Sequence, residues 1–254
     1  MFSHYRTLGF FLKKEDKGEA SQLLTVFTED FGKLKVLGRS IRKIKSKLRA
    51  SAELFLLSEV EFIQGKTYKT LTDTILIEKY QGIRKSVEKT EYAYQIMDIV
   101  DSLLVAGGED ENIWKLLKET FQKLDDYKMD KKNPLKIIYY FFLWNFLSLL
   151  GYKAELYSCS ICQKKLKPEI FWFLPEQGGI VCSSCFKSKS IGIEEDKEAK
   201  KISINTTKVL RIIMDGNWNI LKRIRTEKED KKNLEEISYL YLSFLKKEFS
   251  KREI

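Results

Sequence analysis

Cys159-Ser160-Ile161-Cys162 and Cys182-Ser183-Ser184-Cys185 hold every cysteine of this chain, with nineteen residues between the two pairs. Two C-x-x-C pairs at that separation can bring four thiolates to the corners of a tetrahedron, the arrangement a structural zinc ion prefers. Four sulfur ligands leave no open position for water or substrate, so such a metal would hold a fold together and perform no chemistry. Free thiols or two reducible disulfides are the alternatives open to the same residues.

A second cluster points to binding. Lys33, Lys35, Arg39, Arg42, Lys43, Lys45, Lys47 and Arg49 are eight basic residues within seventeen positions, with no acidic residue among them. A field of one sign suits a chain of phosphates that is tracked without reading bases. A solvated basic loop, or a contact for an acidic protein, is the competing explanation. Phe10, Phe11, Phe31, Phe55, Phe62 and Tyr68 lie near enough in sequence to include stacking partners for bases, although a β-barrel core would need most of them.

Catalysis finds little support. The lone histidine, His4, lies near the N-terminus, and no G-x-x-x-x-G-K-[ST] loop occurs. The carboxylate runs Asp125-Asp126 and Glu194-Glu195-Asp196 lie in polar stretches and are expected to be solvated loop charges. No catalytic residue is assigned and the chain is expected not to be an enzyme.

The elements that must position these residues follow from composition and periodicity. The 254 residues, 43% of them hydrophobic, can bury one or two cores, and 46 Lys plus Arg against 36 Asp plus Glu give a net charge of +10 that favours polyanionic partners. Neither a signal peptide nor a membrane span is indicated, so a cytoplasmic, nucleoid-associated protein is expected. The most apolar run, Ile137 to Leu150, is shorter than the ~20 residues of a span and contains Asn145 and Ser148. It reads as a buried helix with Pro134 in its first turn and Gly151 past its end.

Residues 1–80 read as five short strands. Phe10 to Lys13, Leu23 to Thr28 and Lys33 to Leu37 come first, with a turn at Glu29-Asp30-Phe31-Gly32. Val60 and Phe62 alternate with Glu59 and Glu61 in the next, and Gln64-Gly65-Lys66 turns into Lys69 to Ile77, where Leu71, Ile75 and Ile77 share a face. Closure into a barrel would remove the exposed edges. From residue 81 to 254 the pattern is helical. Tyr92, Ile96, Ile99, Val100 and Leu103 mark one helix, stopped by Gly107-Gly108, and another runs from Asn112 to about Asp125. The cysteine module occupies about 155–187, with Gly178-Gly179 as a hairpin turn. Residues 187–201 read as a mobile connection, and helices over about 205–250 follow, the last presenting Leu234, Ile237, Tyr241, Phe244 and Leu245 to the helical core.

The order of barrel, basic segment, helices and cysteine module resembles the bacterial RecO family of recombination mediators over almost the whole chain. Arg6-Thr7 with Gly9, then Lys17-Gly18-Glu19-Ala20 leading to Leu24, Phe27-Thr28 and Gly32-Lys33, is similar to the family's opening strands. Gly38-Arg39, Arg42-Lys43 and Ser46-Lys47-Leu48-Arg49 look like its basic segment. Gly151-Tyr152, Glu155-Leu156 and Gly179 beside the cysteine pairs look like its zinc module. After the basic segment the chain departs from the family's Gly and Leu-Gln-Pro-Phe, having Ala50 and Ala52-Glu53-Leu54-Phe55.

The resemblance implies an α+β protein: an N-terminal five-stranded oligonucleotide-binding (OB) barrel, then an α-helical domain carrying a four-cysteine zinc module. It implies binding of single- and double-stranded DNA, annealing of complementary strands without a nucleotide cofactor, and, with RecR, help for RecA in displacing single-strand-binding protein, whose acidic tail would dock on the helical domain. The competing function is a zinc-containing RNA-binding or ribosome-associated factor. A zinc-dependent hydrolase is a third, disfavoured by four sulfur ligands.

Overall fold

The computed structural model describes residues 3–65, 67–128, 135–166, 171–189 and 198–252. Alternating apolar residues build five strands, β1 (His4–Lys17), β2 (Ser21–Thr28), β3 (Gly32–Gly38), β4 (Leu57–Ile63) and β5 (Lys69–Glu78), which close into a barrel in the order β1-β2-β3-β5-β4. β1 is long enough to serve two neighbours, pairing with β4 through residues 4–10 and with β2 through residues 9–17. A bulge between Phe11 and Lys13 lets it turn that corner, and Phe10, Phe11 and Leu12 are all buried as a result. Phe11, Leu24, Val26, Val36, Val60 and Phe62 fill the interior. The barrel is closed by a short parallel contact, Val36 with Lys69 and Leu37 with Thr70.

The five expected strands are present, but the last presents a different face from the one its periodicity suggests. Leu71 is buried, whereas Ile75 and Ile77 are about half exposed, at 49% and 52%. The β4–β5 register shifts between Glu61 and Phe62, which pair with Asp73 and Leu71. One extra residue reverses the alternation, so Thr74 points inward where Ile75 was expected.

The connection from β3 to β4 carries most of the basic residues and is pinned by its few apolar ones. Ile41 is buried in the barrel core, and Leu48 and Leu54 pack against it. Ser51 Oγ donates to the Thr74 carbonyl at 2.9 Å, and Ser58 Oγ donates to the Ser51 carbonyl at 2.6 Å. Ala52 is buried too, and Phe55 adopts a positive φ of 62° with its ring edge-on to Tyr94 at 4.5 Å.

Three helices follow: α1 (Gln81–Arg84), α2 (Val87–Leu103) and α3 (Glu111–Asp126). Ser86 and Asp110 cap α2 and α3 by accepting backbone N–H bonds. Phe10 and Phe27 of the barrel reach Trp114 at 5.4 and 5.8 Å, and Phe10 also meets Phe121 at 5.1 Å. This shared aromatic core makes barrel and helices one compact unit, Met1–Lys128. Asp125 is structural and not a solvated loop charge, because its carboxylate accepts the Ile83 N–H at 2.9 Å and its carbonyl accepts the buried Lys89 ammonium at 2.7 Å. Glu194, Glu195 and Asp196 lie outside the described residues.

Gly107 and Gly108 do not stop α2, which ends at Leu103 with Leu104 as its cap. The Gly107 N–H instead donates to the Lys33 carbonyl at 2.9 Å. Gly32 has φ +61°, and a Cβ there would lie 2.4 Å from the Gly108 carbonyl oxygen, so this approach requires glycine.

The second unit, Met129–Ile254, is built on α4 (Lys136–Leu149), the expected buried helix; Pro134 lies outside the described residues. Around it stand α5 (Ser183–Lys189), α6 (Ile204–Met214), the single turn α7 (Trp218–Leu221), α8 (Lys228–Arg252) and a sheet in the order β7-β6-β8, formed by β6 (Phe171–Leu174), β7 (Gly179–Cys182) and β8 (Lys200–Ile202). Trp144 of α4 donates from Nε1 to Ser238 Oγ at 2.9 Å and stacks on Tyr241 at 5.5 Å, which holds α8 on the core through the face read from its periodicity. The 187–201 stretch contains the end of α5 and the start of β8, so it is ordered at both ends; residues 190–197 lie outside the described ones. Among the described residues no helix is long and apolar enough to cross a membrane.

Candidate nucleic-acid interface and metal centre

The barrel presents its basic residues unequally. Lys35, Arg39, Arg42, Lys43, Lys45, Lys47 and Arg49 are exposed. Arg42 makes an ion pair with Asp16 at 3.0 Å, both side chains remaining in contact with solvent. Such a pair is weak and leaves the guanidinium available to a phosphate. The β3–β4 segment is tied to the β1–β2 hairpin by Arg42 N–H to the Ala20 carbonyl at 3.0 Å and Ser40 N–H to Ser21 Oγ at 3.2 Å. That hairpin adds Lys17, whose ammonium lies over the Tyr68 ring, 3.9 Å from its centroid. Lys17 is not among the binding residues that the sequence suggests, and its pairing with Tyr68 is not visible there, since the two meet only when the barrel closes.

Lys33 stands apart from the other seven. Its ammonium bonds the Asp101 carbonyl and lies 3.5 Å from the Asp101 carboxylate, and its side chain is only 13% exposed. It joins barrel to helix α2. We expect Lys33→Gln to lower stability by about 1.5–3 kcal/mol, the range for a hydrogen bond to a charged group, while leaving the salt dependence of DNA binding unchanged. Denaturant unfolding beside a binding titration checks both halves; a flattened salt dependence would return Lys33 to the interface.

The four cysteines converge. Their sulfurs all lie within 4.8 Å of one another, with Cys162 Sγ and Cys182 Sγ 4.0 Å apart. A tetrahedron with Zn–S bonds of ~2.3 Å sets its sulfurs about 3.8 Å apart, so the donor set fits. Local structure explains the convergence. Cys159 opens a tight knuckle closed by its own N–H to the Lys164 carbonyl and by Gln163 N–H to the Cys159 carbonyl, both at 2.9 Å, with Gln163 at a positive φ of 60°. Cys182 ends β7, and Cys185 sits in the first turn of α5.

The two halves meet where Ile180 N–H donates to the Glu155 carbonyl at 2.9 Å and Ser160 N–H donates to the Ile180 carbonyl at 2.8 Å. A Cβ on Gly179 would lie 2.4 Å from that Glu155 oxygen, so only glycine permits the approach. Glu155 itself accepts the Tyr157 and Ser158 N–H groups at 2.7 and 2.9 Å. Beneath the knuckles Trp172 stacks on Phe186 with centroids 3.9 Å apart.

The thiols are unequal. Burial works to raise Cys159, but N–H donors from Cys162, Cys182 and Ile161 outweigh it and bring the thiol down to about 6. Cys185 is pushed up to about 12, first by hydrogen bonding with Cys182, then by burial and the neighbouring sulfurs. A cluster that favours one thiolate and resists further negative charge is one that a divalent cation would neutralise. These four residues could hold a metal ion and would close its shell.

His4 is exposed, its Nδ1 2.9 Å from Glu61 Oε1. Arg6 first, then His4 and Thr72, hold the Glu61 carboxyl down to about 2 by hydrogen bonding.

Comparison with known proteins agrees with this architecture. The model of the family described as Recombination protein O N terminal matches residues 1–80, and that of Recombination protein O C terminal matches residues 84–247. Proteins named DNA repair protein RecO are similar along almost their whole length. The one from Dehalococcoides mccartyi strain CBDB1 is 31% identical over 231 residues, covering 91% of this chain and 86% of its own. That of Syntrophomonas wolfei is 30% identical over 91% of this chain and 87% of its own, and that of Acetivibrio thermocellus 28% identical over 94% and 91%.

Proposed function

This chain belongs to the RecO family of DNA repair proteins, and we propose on that premise that it is a recombination mediator that binds single- and double-stranded DNA and anneals complementary strands. The observation that carries this reading is the exposed basic segment from Arg39 to Arg49, pinned by Ile41 to the wall of an OB-type barrel. Annealing two polyanions is opposed by their charge, and closely held cations lower that barrier by releasing counterions. Base pairing then supplies the free energy, so no nucleotide cofactor is required.

The metal centre's part in this reading is structural. Zinc bound by Cys159, Cys162, Cys182 and Cys185 would lock the two knuckles together and leave no position for a substrate. A closed shell would keep the zinc itself out of catalysis, and a non-enzymatic role belongs to this reading through the family. The barrel over 1–80 would carry the DNA contacts, with the helical and zinc-bearing remainder serving partners. RecR and, indirectly, RecA belong to the reading through the family. For the acidic tail of single-strand-binding protein, support comes from an apolar groove of about 620 Å³ in the second unit, where Ile137, Val209 and Leu234 lie beside Lys136, Lys228, Lys231 and Lys232, which outnumber Glu229 and the Lys136-paired Glu235. An acidic, partly apolar peptide has complementary chemistry.

The test is annealing of complementary single strands, naked and coated with single-strand-binding protein, in the absence of ATP. The protein is expected to accelerate both, the effect falling steeply between about 50 and 200 mM salt. Annealing no faster than in buffer at low salt, or a strict ATP requirement, would refute the mechanism. A preference for RNA over single-stranded DNA would favour the ribosome-associated alternative.

A further inference from the structure

The aromatic residues of the barrel are not equally available to a nucleic acid. Phe10, Phe11, Phe55 and Phe62 are buried. Phe31 is spent on edge-on contacts with Tyr5 and Phe62 at 5.7 and 5.6 Å. Tyr5 itself is more exposed, but its ring stacks on Phe62 at 5.4 Å, and the flanking Arg6 is taken by Glu59 and Glu61. Tyr68 is set apart by the cations around it. It is only half-buried, and it stands in the β4–β5 hairpin immediately before the closing contact of Lys69 with Val36, so Lys35 is its neighbour on β3.

OB barrels take oligonucleotides across the face of their second and third strands, between the β1–β2 and β4–β5 loops. Here Lys17 comes from the first of those loops, Tyr68 from the second and Lys35 from the strand between, and they meet at one place. The close Lys17 ammonium, and after it the more distant charge of Lys35, favours the Tyr68 phenolate and draws its ionisation below the usual tyrosine range.

We propose that Tyr68 is the platform on which this protein stacks a base of single-stranded DNA, with Lys17 and Lys35 meeting the phosphates on either side. The assignment deepens the DNA-binding reading and rests on it. A cation over a ring at the protein surface is held weakly, so a phosphate can draw the Lys17 ammonium aside while a base takes the aromatic surface. Stacking of this kind tolerates any base, because every base has a π-face, and it adds affinity that salt does not screen. The exposed cations from Arg39 to Arg49 would then guide the backbone past a point where one base is held.

The full-length protein, wild type and Tyr68→Leu, is titrated with oligothymidylate and with an abasic strand of the same length, each at several salt concentrations. We expect the wild type to prefer the base-bearing strand, and Tyr68→Leu to lose roughly five- to a hundred-fold on that strand only. The salt slope should be the same for both proteins, and Tyr68→Phe should bind almost as the wild type does. Equal losses on both strands, a flatter salt slope for Tyr68→Leu, or unchanged binding would each overturn the stacking assignment while leaving DNA binding intact. Wild-type protein that binds neither strand would overturn the DNA-binding reading, and this assignment with it.

Discussion

Cys182→Ser is expected to abolish metal binding and unfold the region around the knuckles while the barrel remains folded. All four sulfurs come from one stretch of the second unit, whereas the first unit, Met1–Lys128, has its own core around Phe10, Trp114 and Phe121. A structural zinc in a small module contributes about 10–16 kcal/mol at neutral pH, more than such a module's packing supplies. Without the metal the knuckles would rest on a small apolar cluster, in which Trp172 stacks on Phe186 beside Leu174, Val181 and Ala199, and on the backbone bonds across Gly179. Metal analysis should find one zinc per wild-type chain and none in the variant. Thermal unfolding of the variant should show an early transition for the second unit and an unshifted one for the first. Wild-type protein purified without chelator that contains no zinc yet melts normally would refute the assignment. A single early transition of the whole variant would instead mean that the units do not fold independently.

Neutralising Arg39, Arg42, Lys43 and Lys47 together should weaken binding to single strands of any sequence by on the order of a hundred-fold near 0.1 M salt. Each lost phosphate contact is expected to flatten the log–log salt slope by about 0.7, so four give about 3. Their side chains are exposed and their segment is held by Ile41, Leu48 and the Ser51–Thr74 bonds, not by the charges themselves. The variant should therefore keep its melting temperature, with the loss of the Arg42–Asp16 pair a minor effect. It should also lose ATP-independent annealing. Titrations with two unrelated sequences decide the matter: loss on only one would indicate base readout, and an unchanged slope would place the DNA elsewhere on the molecule.

Both predictions concern residues that could be found without coordinates, and the reason is that each set is local in the chain. Four ligands within residues 159–185 and a run of cations within 33–49 are brought together by short-range backbone geometry, so spacing alone points to them. The five strands, the buried helix α4 and the inward face of α8 were legible for the same reason, since periods of two and of three to four residues register burial directly. What depends on distant contacts was not. Lys33 looks like any other member of the basic run until it meets Asp101, 68 residues away. Ile75 and Ile77 face solvent because one bulge against β4 shifts the alternation, and Asp125 leaves the solvated charges only when α1 and Lys89 dock on the end of α3. Gly107-Gly108 resembles a helix stop but serves the approach of Gly32 and Lys33. The meeting of Lys17 and Tyr68 is of the same kind: the chain carries both side chains, and only barrel closure, which fixes the register of β5 against β3, sets one over the other.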